Sequence, residues 1–100
     1  MVDLDIEMTH WLVTFYSVSA ALYAKRLASP HAPCEVIPVP RSVSSSCGYA
    51  MDVSGVPLEL LTGIMNSASV DWEAVYRPVP EAKPPCYEQA VANDGQGGGG

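Results

Sequence analysis

The residue with the greatest chemical potential is a cysteine that closes a polar run, Pro40-Arg-Ser-Val-Ser-Ser-Ser-Cys-Gly48. A thiolate, not a thiol, is the nucleophilic form of cysteine, so the question for Cys47 is what would hold it charged. The surrounding residue types suit that task. Arg41 offers a positive charge, Ser44, Ser45 and Ser46 offer hydroxyls and backbone N–H groups, and Gly48 tolerates backbone angles that let the chain approach closely. Opposite charge and hydrogen-bond donors both favour the ionised form. The other reading of Cys47 is a small, partly buried residue packing at the start of a strand, and spacing alone leaves both open.

Other chemistries find little support. Metal binding needs three or four convergent ligands, and no CxxC, HxxH or HExxH pair is present, so no metal site and no cofactor are expected. A serine hydrolase needs a base beside its nucleophile, whereas His10 and His31 fall at the sheet edge away from the serine run. Cys34 should start a strand that Cys47 follows after a loop, which puts the two too far apart to form a disulfide. Cys86 lies on a Pro-rich segment with reach enough to resolve an oxidised Cys47.

Stepping outward, the chain must supply elements that present this loop. Trp11 to Tyr16 is aromatic and β-branched and reads as a strand with Trp11, Val13 and Phe15 on one face. Ser17 stands as the N-cap of a helix over Val18 to Ala28, whose Ala20, Ala21, Ala24, Leu27 and Ala28 form a narrow face of mostly small residues for close packing on a sheet. Cys34 to Val39 reads as an edge strand, since Pro38 and Pro40 cannot donate to a ladder. After the serine loop come a strand over Tyr49 to Val53 and a helix with Leu58, Leu61, Ile64, Met65 and Ala68 on one side. A strand over Trp72 to Val79 closes the series.

The order βαββαβ predicts an α+β, ferredoxin-like sandwich: a four-stranded antiparallel sheet with two helices on one face. Right-handed crossovers put the third strand between the first two and bring the end of strand one, the Ser17 helix start, the serine loop and the Asp71-Trp72 turn to one edge. Ser17, Asp71 and Trp72 are therefore expected to rim Cys47.

The length of 100 residues allows one small domain, expected over residues 9–79 between a flexible acidic stretch at 1–8 and a disordered Pro- and Gly-rich tail at 80–100. With 48% hydrophobic residues the chain can build a core, while its net charge of −6 should repel phosphate backbones and anionic lipid. No nucleic-acid or membrane partner is expected. Acidic Asp3, Asp5 and Glu7 are unlike a secretory leader, and with an odd three cysteines the reading is cytoplasmic.

The segments Thr14-Phe-Tyr-Ser17 and Ala21-Leu-Tyr-Ala24, and above all Pro38-Val-Pro-Arg-Ser-Val-Ser-Ser-Ser-Cys-Gly48, resemble the selenium/sulfur (Se/S) carrier protein-like family, a small bacterial domain of unknown function. The resemblance implies a carrier and leans away from an enzyme, with sulfurtransferase-like chemistry left open. Cys47 would hold sulfur or selenium as a persulfide or selenopersulfide between donor and acceptor proteins, with Arg41, the serines and Gly48 around the anion. Two other readings use the same loop: a non-catalytic module for a small anion or protein, and a thiol redox sensor pairing Cys47 with Cys86.

Overall fold

The computed structural model of the protein describes residues 10–43, 45–79 and 86–93. Its elements run β1 (His10–Phe15), α1 (Val18–Ala28), β2 (Cys34–Pro38), β3 (Tyr49–Ser54), α2 (Leu58–Ser67), β4 (Trp72–Val79) and β5 (Cys86–Ala92). The class is α+β, with two helices and one open antiparallel sheet in the order β2-β3-β1-β4-β5. As the crossover argument requires, β3 lies between β1 and β2 and pairs antiparallel with both.

The expected four strands are in fact five. Residues Cys86–Ala92, read from composition as part of a disordered tail, pair with β4 from Val79↔Cys86 to Ala74↔Ala92. The segment has no proline of its own and carries Tyr87 and Val91, which pack against the two apolar clusters. Nearby prolines and glycines masked that signal. The acidic N-terminal stretch and, in the tail, residues 80–85 and 94–100 lie outside the described residues.

Each element follows from local chemistry. Ser17 caps α1, its hydroxyl accepting from the backbone N–H of Ala20 at 3.1 Å, and Lys25 and Arg26 in the last turn complement the helix dipole. Ala20, Ala21, Ala24 and Ala28 are buried, so the helix lies close on the sheet. On α2, Leu61 and Met65 are buried, while Leu58, Ile64 and Ala68 are partly so.

Strand β1 is buried on both faces, and that organises the core. Trp11, Val13 and Phe15 join the alanines of α1, Leu61 and Met65 in the larger cluster. The alternate side chain Leu12 joins Val43 and Ala50 in a smaller cluster, against which Ile37, Val39, Tyr76 and Tyr87 pack. Val43 belongs to the polar run before Cys47, so burial of this one side chain ties the run to the sheet.

Candidate functional site

Cys47 stands at the end of the sheet where β1 runs out, and three strands hold its loop. From β1, the Phe15 carbonyl accepts from the Ser45 hydroxyl at 3.4 Å. From β3, the Tyr49 carbonyl lies 3.0 Å from the same hydroxyl and 3.5 Å from Cys47 Sγ. From β4, the Glu73 carboxylate accepts from the Ser46 backbone N–H at 3.2 Å and from the Ser46 hydroxyl at 2.9 Å. The convergence inferred from topology is therefore present, and Tyr16 N–H donating to the Asp71 carbonyl at 3.3 Å closes the same edge.

A local feature turns the chain past the sulfur. Gly48 has φ of +82°, in the left-handed region that side chains with a Cβ rarely adopt. Its N–H donates to the Ser45 carbonyl at 3.3 Å, and its carbonyl accepts from Val39 N–H at 3.0 Å. The turn folds Cys47 back over the start of β3, half-buried against the larger apolar cluster.

Protons can be counted at the sulfur. Ser45 has one hydroxyl proton and three partners, the carbonyls of Phe15 and Tyr49 and, at 3.7 Å, Cys47 Sγ. With a neutral thiol, Cys47 donates to Tyr49 and Ser45 also donates to a carbonyl. When the sulfur is ionised it can no longer donate, and the Ser45 hydroxyl is the group that turns to it. Ser45 is thus the one side-chain donor in contact with the sulfur among the described residues.

This revises the expected cradle. Ser45 meets the sulfur, but both Ser46 donors are spent on Glu73, and Ser44 lies outside the described residues. Arg41 is exposed, and among the described residues no hydrogen bond or ion pair joins its side chain to the loop. Ser17 caps its own helix, and Asp71 contributes its backbone while its side chain is exposed. Trp72, expected on the rim, is buried at 3% exposure with its indole N–H on Asn66 Oδ1 at 2.9 Å, because it faces the apolar cluster. Tyr16 and Tyr49 are the exposed aromatics of this edge.

Glu73 was not foreseen. The β1–β4 register passes from Thr14↔Ala74 to Phe15↔Trp72, which leaves Glu73 as the extra residue of a bulge. Bulges re-aim side chains, and here the carboxylate points at Ser46. No periodicity in Trp72 to Val79 signals that irregularity.

The other cysteines are remote. Cys34 pairs with Val53 at the far end of β3 from Tyr49, and its thiol donates to the Lys25 carbonyl at 3.6 Å. Burial pushes this thiol above the usual 9.0, against smaller lowering effects of the Lys25 charge and a hydrogen bond with Ser29. Cys86 is fixed opposite Val79. From Glu73, beside the Cys47 loop, to Val79 is about 20 Å of strand, well beyond the roughly 7 Å Cα separation that a disulfide spans. The redox-sensor reading fails on this placement, since β5 anchors the thiol that was expected to roam.

Comparison with protein families matches residues 10–77 to the family described as "Putative Se/S carrier protein-like". The chain belongs to the Se/S carrier protein-like family. No curated protein and no solved structure matches it. The matched span of this Se/S carrier-like chain runs from the first residue of β1 into β4 and takes in the whole Cys47 loop, Glu73 and the capping Ser17. It stops short of β5. No group of three or more His, Cys, Asp or Glu among the described residues could hold a metal ion, and no described helix is long and apolar enough to cross a membrane.

Proposed function

We propose that this member of the Se/S carrier-like family carries one sulfur or selenium atom on Cys47, as a persulfide or selenopersulfide, between a donor and an acceptor protein. The supporting observation is the family match across a free cysteine held in a three-strand loop at one edge. In loading, Cys47 Sγ gives up its proton to solvent and attacks the outer sulfur of a donor persulfide. The new S–S bond forms as the donor's S–S bond breaks, and the donor cysteine leaves as a thiolate. Delivery repeats the exchange with the acceptor as nucleophile. The Ser45 hydroxyl serves the anionic stage, because it sits beside Sγ and exchanges acceptors without moving the backbone. Arg41 contributes positive charge once a partner closes over the edge, while both donors of Ser46 stay on Glu73 in the resting loop. The strand arrangement is consistent with a ferredoxin-like sandwich extended by β5, in a cytoplasmic setting where the thiols stay reduced.

The test is incubation with a cysteine desulfurase and free cysteine, followed by intact-mass analysis. The expected product is a single adduct with the mass of one sulfur atom, removed by reductant and lost in Cys47→Ser. Full loading of that variant, or no adduct on the native protein, refutes the proposal.

One observation favours a second reading. Cys47 is half-buried and its resting thiol contacts a carbonyl, as a packing cysteine would. In a non-catalytic module for a small anion or a protein, Cys47→Ser would keep binding while Arg41→Ala lost it.

A further inference from the structure

The element of this site with no counterpart in the sequence reading is Glu73, and two independent features single it out. Its carboxylate takes both donors of Ser46, the backbone N–H and the hydroxyl. It is also the extra residue of the bulge opposite Phe15, so the strand departs from regular pairing at the position that lets this side chain reach the loop. A regular ladder would put residue 73 into register with β1. The irregularity is conspicuous because the adjoining pairs, Leu12↔Tyr76 to Thr14↔Ala74, are regular.

We propose that Glu73 is a positioning residue that latches the Cys47 loop closed, and that release of the latch is what exposes the sulfur to a partner. This rests on the carrier reading of Cys47 and names how that same site is regulated. Ser46 is exposed and its side chain bonds only Glu73 among the described residues, while Ser45 leans inward onto the carbonyls of Phe15 and Tyr49. Ser46 drawn toward β4 and Ser45 drawn toward β1 fix the backbone from both sides, and the next side chain, Cys47, is tucked against the Tyr49 carbonyl and the apolar cluster. Freed from Glu73, residues 46 and 47 lose their link to β4, and the sulfur can swing off the carbonyl. The latch sits at the surface, where its carboxylate is within reach of a docking protein.

The experiment measures alkylation of Cys47 by iodoacetamide across pH, with Cys34 and Cys86 in the same molecules as internal references for general unfolding. It needs no donor protein, so its outcome is independent of whether sulfur is carried. Ser46→Ala removes the hydroxyl bond alone and should raise the high-pH plateau rate by roughly two- to ten-fold, and Glu73→Ala, which removes the backbone N–H bond as well, should raise it further. The double variant should gain little over Glu73→Ala alone, since that variant already removes both bonds of the link. Glu73→Gln, whose side-chain carbonyl can still accept, should stay closer to the native rate. The latch is overturned if the plateau is unchanged and only the midpoint of the profile moves, which would make Glu73 a mere charge near the sulfur. It is equally overturned if Cys34 and Cys86 accelerate in proportion to Cys47, or if the two single effects simply multiply.

Discussion

Cys47 and Tyr49 are two residues apart, and the thiol of the first lies 3.5 Å from the carbonyl of the second, because Gly48 between them takes a left-handed conformation. A carbonyl is an acceptor only, so this contact is made by a thiol and lost by a thiolate. The Ser45 hydroxyl lies 3.7 Å from the same sulfur and is the side-chain donor next to it.

That arrangement makes Ser45 the residue on which the charged sulfur depends. Ser45→Ala should slow alkylation of Cys47 at neutral pH by roughly two- to ten-fold, the worth of one hydrogen bond, while leaving the fold intact by circular dichroism. An unchanged rate would mean that the hydroxyl serves only the carbonyls of Phe15 and Tyr49.

Gly48 should tolerate substitution poorly for a conformational reason and not a steric one. A Cβ there would meet nothing within 4 Å, but φ of +82° strains any L side chain. Gly48→Ala should cost about 1–2 kcal/mol in urea unfolding, and Gly48→Asn less, since asparagine visits this region more readily. Equal costs for the two would point to contacts and not to backbone strain.

Strand β5 should prove part of the folded unit. Ending the chain after Val79 removes Tyr87 and Val91 from the clusters they pack against and bares the outer edge of β4. The loss expected is about 1–3 kcal/mol for two half-buried apolar side chains, with increased self-association at the exposed edge. Urea midpoints and light scattering on the shortened chain measure both, and native values in each would show β5 to be dispensable.

Cys34 gives the protein a pH dependence of defined sign. Its thiol holds the proton more tightly in the folded chain than in the unfolded one, chiefly through burial. The resulting stabilisation is full below about 9.0 and is lost as pH rises through the higher folded value. Urea titrations on either side of that pH should show a fall in native stability that Cys34→Ala reduces. A fall of the same size in that variant would assign it to other groups.

Much of the architecture could be read from residue types, because it rests on local signals. Ser17 followed by an alanine face gave the bounds of α1, alternation gave β1 and its helix-facing Trp11, Val13 and Phe15, and the prolines marked β2 as an edge. The position of Cys47 beside the end of β1 followed from connectivity and handedness alone. The segment Cys86–Ala92 was not legible in the same way, since a strand there is stabilised by the edge of β4 and by two distant clusters, and the flanking Pro and Gly residues outweighed its own weak pattern.

The sequence by itself therefore determined at which end of the sheet Cys47 stands, because that depends on the order and handedness of the elements. Only the tertiary structure decided what surrounds that sulfur. Ser46 turns to Glu73 and Ser45 to the carbonyls of Phe15 and Tyr49 because a one-residue bulge in β4 and a left-handed turn at Gly48 set the angles at which separate strands meet. Such offsets arise from packing between segments far apart in sequence, and no spacing within the serine run encodes them.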